Sequence, residues 1–313
     1  MYSSRSHQVQ EDAYSRLKPL ISHHILIATM IKVKRINNEN VAPVKFVDVV
    51  EDPRPVRGRD IFPEIYSNIF FCARKKSGKT CAIAHIIDKC STTETRVIAF
   101  VSTLQRDPTW RAIEDLCQRR KIDFTGYTSI KDEGTKEDIL KSIVDTLKKT
   151  TGEEKEEEPK SQRGRGIITD DDEDPKLGKK AKKPKELAPR IIFIFDDLSG
   201  ELHTPSFTEF LKMNRHFKCK VLISSQYWND VSLQARKQIN YVLLYRGLSK
   251  SMNKLRDIYD NCDLSISFEL FVELYRFATK DKFHFLYIDV DNSEFRKDFS
   301  HKVELSELEE NDL

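Results

Sequence analysis

The sequence predicts an α/β fold: a mostly parallel sheet flanked by helices and interrupted by a disordered charged insertion. Three observations carry this. Short apolar runs alternate with stretches of helical spacing over residues 68–290. The first run leads straight into a lysine- and glycine-bearing loop, ARKKSGKT at 73–80, which opens a helical stretch. A later run, IIFIF at 191–195, is apolar throughout, as a strand buried on both faces must be, and it closes on Asp196 and Asp197.

The 313 residues divide into an N-terminal extension (1–60), a core (61–295) and an acidic tail (296–313). The extension holds one strand-like piece, 45–50, and a connector rich in proline and arginine, 52–59. In the core, 68–72 reads as a strand. Residues 80–90 follow with helical spacing, Ile83, Ile86 and Ile87 falling on one side. A strand at 96–102 precedes a helix over 107–119, where Trp110, Ile113, Leu116 and Cys117 recur at helical intervals. A short strand at 122–127 and a helix at 136–147 come next. Beyond the insertion the order is strand 190–195, helix 207–217, strand 220–224, helix 231–238 and strand 241–245. Helical stretches at 252–259 and 268–278 lead to a last strand, 283–290. Such alternation requires crossover connections, which parallel neighbours need.

Apolar residues make up 39% of the chain and charged residues 33%, so a globular core coexists with heavily charged segments. The net charge of +3 hides this, because 53 basic and 50 acidic residues nearly cancel. The signs sit in blocks: acidic at 153–158 and 170–174, basic at 163–166 and 176–185. Residues 151–189 offer almost nothing to bury and predict the disordered insertion. Its basic tracts can meet DNA phosphates, yet the adjacent acidic blocks partly neutralise them, favouring a regulatory or partner-binding role. The six cysteines form no CxxC or CxxH pair, which argues against a zinc site or a disulfide framework. Residues 1–18 carry no signal-peptide core, and the apolar stretch 25–31 is too short to cross a bilayer. The expectation is a soluble protein with no membrane insertion.

The loop Ala73, Arg74, Lys75, Lys76, Ser77, Gly78, Lys79, Thr80 matches GxxxxGK[ST] except at its first position. In such a loop backbone N–H groups and a helix N-terminus face phosphate oxygens. Lys79 would reach the β and γ phosphates of ATP, and the Thr80 hydroxyl would ligate Mg²⁺. Gly78 permits close backbone approach, while Ala73 lacks glycine's freedom at positive φ and implies an altered loop. The competing reading is a chance GKT in a lysine-rich turn; the strand before it and the helix after it favour the phosphate loop. Asp196, at a strand's C-terminal end, would hold Mg²⁺, and Asp197 would orient or deprotonate a water. Asp197 capping the next turn is the alternative. The strand 220–224 ends in Ser224, Ser225 and Gln226, level with Ala73 and Asp196 in a parallel sheet. Gln226 there can bond the γ-phosphate or the lytic water, or be an ordinary strand-to-loop amide.

Taken together, four blocks resemble the additional-strand, RecA-like class of P-loop ATPases, and within it the FtsK–HerA superfamily. They are ARKKSGKT (73–80), FVSTLQRDPTW (100–110), IIFIFDDLSGE (191–201) and RHFKCKVLISSQYWNDVSLQARKQINYVLLYRG (215–247). The pattern is most similar to the poxvirus-like genome-packaging ATPases of large DNA viruses and related elements. The resemblance implies an ATPase that needs Mg²⁺, assembles as a homo-oligomeric ring and moves double-stranded DNA without reading its sequence. It further implies a preformed capsid as destination, with a capsid or portal protein as partner, in a host cytoplasm or viral factory. Lys79 and Thr80 would be the phosphate lysine and metal hydroxyl, Asp196 the metal carboxylate, Asp197 the catalytic acid and Gln226 the sensor. Ring motors also draw an arginine from a neighbouring subunit, for which Arg246, Arg236 and, less well placed, Arg215 are candidates. Two other classes stay open. A P-loop kinase or GTPase would need a guanine signature or an acceptor lid, neither of which is evident. A nucleotide-binding scaffold that has lost hydrolysis would account for Ala73.

Overall fold

The computed structural model describes residues 54–132, 134–156, 186–198, 200–248 and 251–304. The strand-like piece at 45–50, insertion residues 157–185 and tail residues 305–313 lie outside the described residues. In chain order the elements are β1 (Asn68–Cys72), α1 (Lys79–Cys90), β2 (Arg96–Val101), α2 (Pro108–Arg119), β3 (Asp123–Tyr127) and α3 (Ile139–Glu156). Then come β4 (Ile191–Asp196), α4 (Pro205–Met213), β5 (Cys219–Ser225), a 3₁₀ turn (Trp228–Asp230), α5 (Leu233–Arg236) and β6 (Tyr241–Tyr245). The last are α6 (Met252–Cys262), α7 (Phe268–Ala278), β7 (Phe285–Asp289), β8 (Glu294–Lys297) and β9 (His301–Lys302). No helix among the described residues is long and apolar enough to cross a membrane.

One sheet runs through all nine strands in the order β3-β2-β4-β5-β1-β6-β7-β8-β9. From β3 to β6 every pairing is parallel; β7, β8 and β9 add on antiparallel. The strand β5 separates β1 from β4, which is the additional strand the sequence blocks imply. Three ladders set the level of the strand ends. Asp196 stands opposite Ser224 and Val101, and Cys72 stands opposite Ser225.

Alternation along each strand sends side chains to two separate cores. On one face Phe70, Phe193, Phe195, Val221 and Ile223 pack with residues of α3, α4, α6 and α7. On the other, Ile69, Phe71, Ile192, Ile194 and Leu222 pack with Ile83, Ile86 and Ile87 of α1 and Trp110, Ile113 and Cys117 of α2. Phenylalanines lock β4 in place: Phe195 stacks on Phe100 at 5.2 Å between centroids and meets Phe207 edge-on at 5.0 Å. Each fully buried phenylalanine contributes about 1.5–3 kcal/mol through area removed from water. The strand that ends in Asp196 is thereby held rigidly.

Several boundaries differ from the sequence expectation. Helix α3 continues to Glu156, past the point where charge alone predicts disorder, because lysines and glutamates are good helix formers. At the insertion's other end, Leu187 bridges Val56 and the Thr95 hydroxyl donates to the Pro189 carbonyl, so both 186–189 and 54–60 join the body. Helix α4 starts at Pro205 under a Thr204 cap and stops at Met213, before a turn in which Lys218 takes φ 55°. Strands β8 and β9 occupy part of the expected acidic tail, their pattern too short and too charged to announce a strand.

Lys220, on β5, is only 1% exposed. Its ammonium donates to the Glu64 carbonyl and to Ser67 Oγ, both at 2.9 Å, and lies 5.0 Å from the Phe62 ring centroid. Burial lowers its pKa to about 8. Between that value and the ordinary lysine range the unfolded chain binds more protons than the folded one, so this residue's contribution to stability rises with pH there. The difference in unfolding free energy between wild type and Lys220→Met, measured by urea denaturation, should therefore shift in favour of wild type from about pH 8 to about pH 10. A difference flat in pH would refute a depressed lysine.

Candidate functional site

At the C-terminal edge of the parallel strands the loop between β1 and α1 borders a cleft of about 620 Å³. That volume lies within the range of small-molecule sites. The cleft is walled by loop residues 75–80, by Arg106 and its neighbours after β2, by Asp196 and Asp197, and by Phe283 before β7. Arg74 and Ala73 lie at the loop's root rather than in the wall.

Ala73 is buried, its N–H donates to the Ser225 carbonyl at 2.9 Å, and it is not among the positive-φ positions. The altered loop that alanine implied is thus corrected: the left-handed backbone falls on Lys76 (φ 62°) and Gly78 (φ 93°), and position 73 needs no glycine. Gly78 is the N-cap of α1 and makes no side-chain cap bond, and no acidic residue occupies the first turn. The first N–H groups of a 12-residue helix therefore point outward with the positive end of its dipole uncompensated. Ser77 Oγ is buried without a partner among the described residues. A buried hydroxyl of that kind, beside orphan N–H groups, suits phosphate oxygens.

Opposite the loop lies the charge cluster. Lys79 Nζ donates to Asp196 Oδ1 at 2.7 Å and to Asp197 Oδ1 at 2.9 Å. Trp110 Nε1 donates to the other oxygen of Asp196 at 3.3 Å. Asp196 is 3% exposed, so these bonds compensate a carboxylate otherwise costly to bury. Burial pushes the Lys79 pKa down and is the largest single influence, but Asp196 and Asp197 together outweigh it and leave the ammonium above its ordinary range. Lysine at this point is a firm cation. Asp197 takes φ 54° directly after β4, with its N–H on the Ser224 carbonyl. Aspartate tolerates this region better than most side chains, and the turn swings its carboxylate back over the loop. Thr80 and Asp196 both face the cleft, and hard oxygen donors of this kind, one carboxylate and one hydroxyl, fit Mg²⁺ held jointly with substrate phosphates.

The remaining sequence candidates separate. Gln226 follows β5 at the same edge; its carbonyl accepts from Cys72 Sγ at 3.6 Å, and it is not part of the cleft wall. Arg246 is exposed just past β6, and Gly247 beside it packs tightly on the Arg74 side chain. Arg236 is engaged with the Val231 carbonyl at 2.8 Å and with Asp257 at 3.5 Å. Arg215 pairs with Glu64 ahead of β5, at the opposite edge of the sheet. Three wall or support residues escaped sequence reasoning. Trp110 showed as helical periodicity and, with Arg106, inside the block 100–110, but neither was given a role, and Phe283 read as the start of a strand. The compact run RDPTW at 106–110, a cap with proline after it, was the available signal for the first two.

Several solved structures are similar to this chain over part of its length. The genome-packaging NTPase of Sulfolobus turreted icosahedral virus 2, in complex with AMP, is 17% identical, covering 77% of this chain and 100% of its own, with a TM-score of 0.47. The cytoplasmic domain of the type VII secretion ATPase EccC from Thermomonospora curvata is 14% identical over 62% of this chain and 22% of its own, at 0.37. The N-terminal domain of zonular occludens toxin from Neisseria meningitidis is 8% identical over 58% and 77%, at 0.30. The chain matches no family model and no curated protein.

Removing one partner of a buried ion pair strands the other. Lys79→Met should destabilise the fold by about 3 kcal/mol, and adding Asp196→Asn should recover most of that loss. Chemical denaturation of the two variants checks this; equal stability of Lys79→Met and wild type would show that the pair is not buried as described.

Proposed function

We propose that this chain is a Mg²⁺-dependent ATPase of the FtsK–HerA superfamily that drives double-stranded DNA into a viral capsid as a ring-shaped oligomer. One observation carries the ATPase reading: the Lys79 ammonium, at the N-terminus of α1, bridges Asp196 and Asp197 across a cleft bordered by the phosphate loop. A cation at a helix N-terminus beside two carboxylates is unusual unless an anion and a dication take their place between them.

The residues then divide the work. Loop N–H groups, Ser77 and the end of α1 bind the α- and β-phosphates, and Lys79 swings from the carboxylates to the β,γ oxygens. Mg²⁺, when bound, neutralises charge on those oxygens, with Thr80 and Asp196 as its protein donors. Asp197 accepts the proton of the attacking water, whose oxygen bonds to the γ-phosphorus as the β,γ-bridging bond breaks and ADP departs. Gln226 orients that water or reports the γ-phosphate after a side-chain adjustment. Arg106 adds positive charge from the same chain. Arg246, exposed just past β6, is the arginine best placed to reach a neighbouring subunit's site, ahead of Arg236 and Arg215, whose guanidinium groups are engaged.

The DNA, the ring and the capsid rest on the four sequence blocks, while β5 lying between β1 and β4 supports the wider additional-strand class. A scaffold without hydrolysis loses its main support, because Ala73 sits in ordinary, buried backbone.

ATPase rates measured with and without double-stranded DNA test the reading. Wild type should turn over and be stimulated by DNA of any sequence. Asp197→Asn should lose at least about a hundredfold in kcat while still binding ATP, and Lys79→Ala should lose binding as well. Nucleotide binding without turnover in wild type would instead establish the scaffold.

A further inference from the structure

Phe283, in the turn before β7, is 66% exposed. It stands in the cleft wall beside the phosphate loop, with its ring and backbone against Gly78: a Cβ built on Gly78 would lie 3.3 Å from Phe283 Cδ1. Its backbone is left-handed, φ 71°, a conformation that disfavours a bulky side chain by an amount of order 1–3 kcal/mol. The chain just after it is pinned. His284 pairs with Asp298 at 2.6 Å, and Phe285 exchanges hydrogen bonds with Asp298 through both its N–H and its carbonyl. A phenylalanine is thus held in an unfavourable backbone state, by bonds that are not its own, while the residue stays largely exposed.

Four left-handed residues belong to this cleft. Lys76, Gly78, Asp197 and Phe283 all have positive φ and all line it. The first three have a phosphate, metal or water role in the proposed ATPase. Phe283 has no polar atom to offer there, and among the lining residues it is the one aromatic. Its position supplies the missing function. The carboxylates and Lys79 mark the γ-phosphate end, on the side of β2 and β4, whereas Phe283 precedes β7, on the far side of the loop. A nucleotide whose triphosphate follows the loop toward Asp196 and Asp197 carries its base in the other direction.

We propose that Phe283 is the base platform of the site, its ring stacking on the purine of the bound nucleotide. The proposal rests on the ATPase reading above. Stacking of a base on an aromatic ring is tolerant of base identity but favours the larger purine face, and it does nothing for the phosphates.

The experiment separates base from phosphate. Affinities for ATP, CTP and inorganic tripolyphosphate, each with Mg²⁺, are measured by calorimetry on full-length wild type, Phe283→Ala and Phe283→Trp. The expected result is that Phe283→Ala weakens ATP binding roughly tenfold or more. Tripolyphosphate binding stays unchanged, CTP is affected less than ATP, and Phe283→Trp retains ATP affinity. Equal ATP affinity in wild type and Phe283→Ala overturns the platform while leaving the ATPase intact. Parallel loss of ATP and tripolyphosphate also overturns it, since the ring would then be shaping the loop around Gly78. Failure of wild type to bind either ATP or tripolyphosphate sinks the nucleotide site itself, and the platform with it.

Discussion

Between the strand that feeds the phosphate loop and the strand that ends in Asp196 lies β5, and the ladders on its two edges hold Asp196 opposite Ser224 and Cys72 opposite Ser225. A slip of one residue in the β4–β5 ladder would turn Asp196 from the α1 face to the opposite face, because strand side chains alternate. The apolar faces of β4 and β5 forbid that slip: Phe193 and Phe195 on one side and Ile192 and Ile194 on the other are all fully buried. Register therefore comes first, and the contact between Lys79 and the two aspartates follows from it.

That contact is itself a compromise. An ammonium and a carboxylate both withdrawn from water gain little net stability over apolar neighbours, and they are retained where chemistry needs them. Here each charge has further support: Trp110 from α2 bonds the second oxygen of Asp196, and Asp197 adds a second acceptor for Lys79. The left-handed backbone at Lys76, Asp197 and Phe283 belongs to the same pattern, in which unfavourable local geometry at the cleft is held by the rigid sheet beneath it. Lys220 is a counterexample of a buried lysine with a purely structural setting, at the other edge of the sheet, where two oxygen acceptors and an aromatic ring receive it.

Most elements were legible from pattern alone. The strand at Asn68–Cys72 and the helix at Phe268–Ala278 fall where apolar runs and helical spacing place them, since their period is short-range and undisturbed. The misses share a cause. Residues 151–156 and 294–302 carry too much charge to look ordered, but a helix needs no burial of every turn, and a short added strand such as β8 borrows its ladder from β7. Ala73 was misjudged because a motif letter was read as a conformation, when the positive φ sits at Lys76 and Gly78 instead.

By itself the sequence determined the chemistry available: a lysine and a threonine at a helix start, two carboxylates at the end of an apolar strand, and a polar SSQ after another. These are local signals, each contained within a single turn or strand. Only the tertiary structure decided which of them meet. The Lys79 bridge spans 117 residues to Asp196, Trp110 reaches Asp196 across 86, and Phe283 comes against Gly78 although β7 is among the last strands to join the sheet. Contacts of that separation depend on strand order and on which face each side chain takes. A linear pattern records neither, because both are outcomes of packing two cores at once.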